Sequence, residues 1–180
     1  SRSLVHSFRA EFDAIIIGGN TLRRDNPQLT TRDSKKPEPL RVVFTKSLDL
    51  PSKSNLWDCS KAKTLVIYDS STANESYLSR IPKCVEVEKV SSDNPELISK
   101  ILAKRGCNKV LWECGPRLAT AAIQSNCIQE IITFIAPKIL GGENSMNPIG
   151  DFEFEEMHEI IKLSDSQVSL TVSYTHLTLP

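Results

Sequence analysis

The sequence predicts an α/β fold: a mostly parallel sheet flanked by helices, with antiparallel strands at the C-terminal end. Three observations carry this. Residues 14–17, Ala-Ile-Ile-Ile, form a continuous apolar run closed by Gly18-Gly19, the pattern of a strand buried on both faces. Residues 110–125, VLWECGPRLATAAIQS, read as strand, tight glycine turn and helix, because Leu118, Ala119, Ala122 and Ile123 recur at helical spacing after Pro116. Near the C-terminal end Val168, Leu170 and Val172 alternate, so residues 158–163 and 167–173 suit an antiparallel hairpin.

The remaining elements follow in order. Leu4, Val5, Phe8 and Phe12 share a helical face. Residues 20–32, NTLRRDNPQLTTR, are polar and read as a loop. Strands are expected at 40–44 and 64–68, with a weaker one at 84–88. Residues 51–63 look irregular and 72–80 suit a short helix. Asn94-Pro95 caps an amphipathic helix carrying Leu97, Ile98, Ile101 and Leu102, which Gly106 ends. Residues 130–136 form a further apolar run, expected as a strand, and Gly141-Gly142 opens a loop. In such sheets ligands sit at the carboxyl ends of strands. That rule points to residues 18–32, 45–47 and 113–120.

At 180 residues the chain is long enough for one domain with a real core. Its 22 basic and 22 acidic residues balance, which argues against a nucleic-acid or anionic-membrane partner. No apolar run reaches transmembrane length. The cysteines, Cys59, Cys84, Cys107, Cys114 and Cys127, are odd in number and widely spaced, so neither a disulfide framework nor a zinc site is indicated. A reducing compartment is the simplest reading. His6, His158 and His176 make no metal or triad constellation. The dinucleotide G-x-G-x-x-G, the Walker A sequence and the G-x-S-x-G elbow are all absent. The free N–H groups where the helix starts at Pro116 suit a phosphate, and the bland alternative is an ordinary turn without a ligand. Arg23, Arg24 and Arg32 with Asp25 could form an anion site or simply pair with one another in solvent. Spacing leaves both readings open.

Three motifs in order, DAIIIGGNTLRRDNPQLTTR, LWECGPRLATAAI and ITFIAPKILGG, resemble the reductase domain of riboflavin biosynthesis, 5-amino-6-(5-phosphoribosylamino)uracil reductase. The resemblance runs from residue 1 to about 165, and LWECG with NLWD is most similar to the plant and cyanobacterial branch. It implies a dihydrofolate-reductase-like fold, NADPH as cofactor, a phosphorylated pyrimidine substrate, a homodimer, and a deaminase domain often fused upstream. It also implies bacterial cytoplasm or plastid stroma.

Carried over by residue, the resemblance implies that Arg9 contacts substrate and that Gln28 and Arg32 hold it, Arg32 through the 5-phosphate. Glu113 would hydrogen-bond the pyrimidine or amine. Thr21 and Asp25 would lie at the cofactor, with Asp25 the catalytic carboxylate. Gly115, Pro116, Arg117, Leu118, Ala119, Thr120 and Ala121 would line the NADPH pyrophosphate. No metal is implied.

The chain departs from the family pattern in three places. The family's opening strand, Lys-x-Ala-x-Ser-x-Asp-Gly-like, is not in the sequence. Thr45-Lys46 stands where Asp-Ser is usual; Lys46 would reach the adenosine 2′-phosphate or be an exposed lysine. Residues 173–180, SYTHLTLP, resemble adapter-derived sequence, so the reductase domain is expected over 1–172. The absent strand leads to the expectation of an open groove beside residues 14–17. The rival readings are a related pterin or pyrimidine reductase of the same fold and a non-catalytic nucleotide-binding remnant.

Overall fold

The computed structural model describes residues 2–31, 37–135 and 147–168. Five parallel strands form one sheet: β1 (Ala14–Gly18), β2 (Leu40–Thr45), β3 (Thr64–Asp69), β4 (Glu86–Val90) and β5 (Val110–Trp112). Their spatial order is β4-β3-β2-β1-β5. Four helices accompany them: α1 (Arg2–Arg9), α2 (Gly19–Asp25), α3 (Pro95–Lys104) and α4 (Pro116–Gln124). The chain steps outward from β1 to β4, then returns through α3 to place β5 on the other side of β1. Strand order therefore reverses between β1 and β5, the position where open α/β sheets hold ligands. No helix among the described residues is long and apolar enough to cross a membrane.

The apolar run at 14–17 forms the central strand for the reason its sequence indicates. Ala14, Ile15, Ile16 and Ile17 are wholly buried, covered on both faces. The expected groove beside it does not exist. β1 pairs with β2 on one side, Ala14 opposite Leu40, and with β5 on the other, Ala14 opposite Val110. β5, with its side chains half buried, closes the side where a gap was expected.

Alternation along each strand divides the core. Ile15, Ile17, Val43, Val66 and Tyr68 face Leu22 of α2 and the loop side chains Leu48, Leu50, Leu56 and Trp57. Ala14, Ile16, Val42, Phe44, Leu65 and Ile67 face Ile98 and Leu102 of α3, with Leu118 of α4 packed alongside. Asn94 caps α3 by accepting from the Glu96 N–H at 2.9 Å, with Pro95 in the first turn. Gly106, just past its end, takes φ +84°, a conformation glycine adopts without steric cost.

Four expectations need correction. Residues 20–25, expected as part of the 20–32 loop, belong to helix α2. Their one wholly buried large side chain, Leu22, contributes about 1.5–3 kcal/mol, while Arg23, Arg24 and Asp25 face solvent. A seven-residue helix with one apolar anchor shows no periodicity to read. Residues 130–135 carry the apolar run but form no strand; Ile131, Ile132, Phe134 and Ile135 are exposed, and Phe134 meets the Phe8 ring edge-on at 6.2 Å. Apolar content marks a strand only where a neighbouring edge supplies hydrogen bonds. The first arm of the expected hairpin is instead a 3-10 turn, Met157–Glu159, followed by irregular chain. The sheet consequently contains no antiparallel strand among the described residues. Ala136, the Gly141-Gly142 loop, residues 169–173 of the second arm and the 173–180 tail lie outside the described residues.

Smaller adjustments concern the irregular segments. The short helix expected over 72–80 is a 3-10 helix, Glu75–Arg80, and the 51–63 segment contains a 3-10 turn at Asn55–Trp57. The weak strand begins at Glu86 rather than Cys84.

Gly19 is where a side chain has no room. A Cβ there would stand 3.1 Å from Thr45 Oγ1 and 3.2 Å from Leu50 Cδ2. Gly19→Ala is expected to cost about 1–3 kcal/mol, the usual penalty for overpacking. Chemical denaturation would measure it, and an unchanged midpoint would mean that α2 shifts freely.

Candidate functional site

β1 and β5 lie side by side and end in glycine turns that start helices. Gly18-Gly19 leads into α2, and Gly115 leads into α4. The two turns approach closely. A Cβ on Gly18 would meet Leu118 Cδ2 at 3.9 Å, and one on Gly115 would meet Thr21 Oγ1 at 3.9 Å. Thr21 and Gly115 through Leu118, assigned to one ligand by the motifs, are thus brought together by adjacent strand ends.

The start of α4 has donors to offer. Gly115, its N-cap, makes no side-chain capping bond. The first intrahelical bond runs from Ala119 N to Gly115 O at 3.1 Å. The N–H groups of Arg117 and Leu118 precede it and have no partner within the helix. Pro116 has no N–H, so that position can only shape the turn. Leu118 packs on the core, and the Arg117 side chain is exposed. Thr120 is buried and its Oγ1 accepts from Gly150 N at 2.8 Å. The hydroxyl therefore faces the 147–152 segment rather than open space, and Ala119 and Ala121 lie beyond the turn that carries the free donors.

Glu113 follows β5 and meets Arg9 from α1. The guanidinium makes a bidentate pair, Nη2 to Oε1 at 2.6 Å and Nε to Oε2 at 2.9 Å. Arg9 is buried, whereas the Glu113 side chain is 36% exposed. One carboxylate edge is therefore held while the group stays open to a ligand. Arg9 Nη1 also donates to Thr30 O at 3.3 Å, with His6 Nδ1 3.3 Å from the same oxygen. Arg9 thereby ties the end of β5 to the loop that follows α2.

That loop is pinned at its other end as well. Asn26, in the left-handed region with φ 40°, accepts at Oδ1 from Ser54 Oγ (2.9 Å) and Asn55 N (2.8 Å). Its carbonyl accepts from Asn55 Nδ2 at 2.7 Å. Leu29, with φ 52°, is buried and anchors the middle. Asp25 and Gln28 sit on this stitched segment. Asp25, the last residue of α2, is exposed and makes no ion pair among the described residues. It lies about 9 Å along the helix from Gly19, at the helical rise of about 1.5 Å per residue. Arg32 lies outside the described residues.

Lys46 lies just past β2, whose last residue, Thr45, crowds Gly19 at the start of α2. It forms an ion pair with Asp93, with the two side chains 62% and 48% exposed. Burial pushes the neighbouring Cys114 thiol up to about 12, so it stays protonated and is no nucleophile. The sequence pointed to Arg9 and Glu113 separately and had no signal for their pairing, because 104 residues separate them. His6 at the same carbonyl was passed over for the same reason.

The chain is 43% identical over 167 residues to the riboflavin biosynthesis protein RibD of Synechocystis, covering 92% of this chain and 45% of that protein. It is 41% identical over 165 residues to the chloroplastic riboflavin biosynthesis protein PYRR of Arabidopsis thaliana, covering 92% and 28%. Among solved structures, a Thermotoga maritima diaminohydroxyphosphoribosylaminopyrimidine deaminase/5-amino-6-(5-phosphoribosylamino)uracil reductase superposes with a TM-score of 0.55 at 28% identity. That match covers 68% of this chain and 33% of the Thermotoga chain. The sheet is accordingly of the dihydrofolate-reductase-like kind. The chain spans between about a quarter and a half of the length of these relatives. Residues 1–175 match the model of the RibD C-terminal domain, and the chain belongs to that family.

Proposed function

We propose that this chain carries the reductase step of riboflavin biosynthesis: reduction of the ribosylamino group of 5-amino-6-(5-phosphoribosylamino)uracil to the ribitylamino product. The observation that carries the reading is the Arg9 clamp. It ties Glu113, just past β5 where strand order reverses, to Thr30 in the loop that carries Gln28.

The chemistry suits these residue types. The ribosylamine opens to an imine before C1′ can accept a hydride, and the protonated imine is cationic. A carboxylate such as Asp25, which makes no ion pair among the described residues, stabilises that charge as it develops. Glu113, held rigid by Arg9, accepts a hydrogen bond from the pyrimidine or its amine. Gln28 and Arg32 hold the substrate, Arg32 through the 5-phosphate, where the fork of an arginine matches phosphate oxygens better than an ammonium. A nicotinamide cofactor supplies the hydride; the protein supplies position and field. Its pyrophosphate fits the uncapped start of α4, where Arg117 and Leu118 offer backbone N–H groups beside Thr21. The reading includes NADPH as that cofactor, a homodimer, a deaminase domain elsewhere in the full-length protein, and a plastid or bacterial cytoplasmic setting.

Stopped-flow or steady-state oxidation of NADPH by the full-length protein with the deaminated pyrimidine substrate tests the activity. Turnover with that substrate supports it. Turnover only with a pterin, or binding of NADPH without turnover with any such substrate, would replace it by one of the two rivals.

Lys46 gives a separate test of cofactor choice. A 2′-phosphate at its ammonium must displace Asp93, so the net gain is that of one anion exchanged for another. Lys46→Ala is expected to weaken NADPH binding by up to about 1.5–3 kcal/mol and to leave NADH unchanged. Equal losses for both cofactors would remove Lys46 from the site.

A further inference from the structure

Two cysteines far apart in sequence meet at the sheet edge opposite the candidate site. Cys59 precedes β3 and Cys84 precedes β4. β3 and β4 are parallel neighbours, so both residues stand at the amino ends of their strands. Their sulfurs are 2.7 Å apart, and Cys84 Sγ also lies 3.6 Å from Trp57 O. A disulfide bond is about 2.03–2.05 Å long, so closing it needs the sulfurs to approach by only about 0.7 Å. Among the described residues no other two cysteines are in such contact; Cys127 Sγ lies 3.5 Å from the nearby Ser125 O.

We infer that Cys59 and Cys84 form an oxidisable dithiol, a modification site that closes to a disulfide when the protein meets a small-molecule disulfide such as oxidised glutathione. The two sulfurs have different roles. Cys84 is exposed and is the point of attack, while Cys59 is half buried against Leu56 and Trp57. The Cys84 thiolate displaces one glutathione thiolate and becomes a mixed disulfide. Cys59 then gives up its proton and attacks the Cys84 sulfur, releasing the second glutathione. Two protein thiols are oxidised, one external disulfide is reduced, and the two protons end on the released glutathiones.

The surroundings favour this order. Burial pushes the Cys59 thiol up to about 11, and its contact with Cys84 adds to that, so Cys59 does not react first at neutral pH. Once Cys84 is capped, its charge no longer opposes ionisation of Cys59. The Arg41 guanidinium still favours the thiolate.

Closure would also tie the 54–59 segment to the turn before β4. That segment holds Asn26 through Ser54 and Asn55. The bond would therefore brace one end of the Asp25 loop from the far edge of the sheet. The disulfide itself does not depend on the proposed activity.

The test is incubation of the reduced full-length protein with oxidised glutathione, followed by intact-mass measurement and non-reducing peptide mapping. The expected result is a loss of two hydrogens and a linked pair of peptides carrying Cys59 and Cys84, with Cys107, Cys114 and Cys127 still alkylated. Treatment with dithiothreitol should restore all five thiols. Cys59→Ser should instead accumulate one glutathionyl group on Cys84, and Cys84→Ser should leave Cys59 free. A stable glutathionyl adduct on Cys84 of the unmutated protein, a linkage using another cysteine, or no reaction at Cys84 would each overturn the inference. If Cys59→Ser fails to fold, the mapping of the unmutated protein and of Cys84→Ser still decides it.

Discussion

Arg41→Ala is expected to lower folding stability by about 3–5 kcal/mol, a large part of the about 5–15 kcal/mol available to a domain. Arg41 occupies the second position of β2, points into the face of the sheet lined by Val43, and is wholly buried. Its Nη2 donates to three carbonyls: Leu56 O at 3.0 Å, Asp58 O at 3.0 Å and Ala62 O at 2.6 Å. The loop between β2 and β3 is folded around this one guanidinium. Burial pulls its pKa down, with Cys59 and Asp58 opposing, yet a guanidinium stays charged throughout the accessible range. Its Nε has no partner among the described residues, so the burial is not fully compensated there.

Removing the group leaves a cavity and unpaired carbonyls. Each hydrogen bond from a charged donor is worth about 1.5–3 kcal/mol, and the three do not add. The Leu56 carbonyl keeps a second donor, Thr64 Oγ1 at 2.8 Å, and suffers least. Arg41→Lys should lie between, because the shorter lysine keeps the charge and three donors but loses the second arm of the fork, whose Nη1 reaches Gln28 O at 3.5 Å. Denaturant midpoints for both variants, at constant m-value, are the measurement. An Arg41→Met protein as stable as the unmutated one would show that packing alone carries the site.

The two carboxylates should separate in kinetics. Asp25→Asn in the full-length protein is expected to reduce kcat by about 10²–10³-fold with little rise in KM, by analogy with the loss of one oxyanion-hole donor. Asp25 has no ion pair to neutralise it among the described residues, so its charge is available to a developing cation. Glu113→Gln should mainly raise KM, by about 10- to 100-fold, because it loses a charge-assisted hydrogen bond present in ground and transition states alike. It should also loosen Arg9, whose buried guanidinium would face a neutral amide. Arg9→Ala should then reproduce the KM effect through loss of the clamp on Thr30. Steady-state rates at saturating NADPH decide the matter. A normal kcat for Asp25→Asn with none for Glu113→Gln would reverse the roles, and no effect from either would move the site elsewhere.

Much of this was readable from residues alone. The apolar run at 14–17, the capped helix at 95–104 and the strand–glycine–helix unit at 110–124 each carry their own local instructions: period, cap and breaker. Helix α2 was not readable, since one buried leucine among charged residues gives no period. The strand expected at 130–136, as far as Ile135, and the first arm of the hairpin, 158–163, failed for the opposite reason. Their apolar patterns are present, but a strand is a relation between two chains of hydrogen bonds, and pattern describes only one of them.

The motif resemblance singled out Arg9 and Gln28 beside the carboxylates Asp25 and Glu113; the sequence by itself determined that two glycine turns end two apolar runs and that Pro116 starts a helix. It determined this because backbone freedom, caps and apolar periods act over a few residues. Only the tertiary structure decided that β5 lies beside β1, which closes the expected groove and makes their shared end the reversal point of the sheet. Only it paired Arg9 with Glu113, placed Arg41 under its loop, and brought Cys59 against Cys84. Those contacts join residues 15 to 104 positions apart. Strand order and register set them, through hydrogen bonds that no single segment contains.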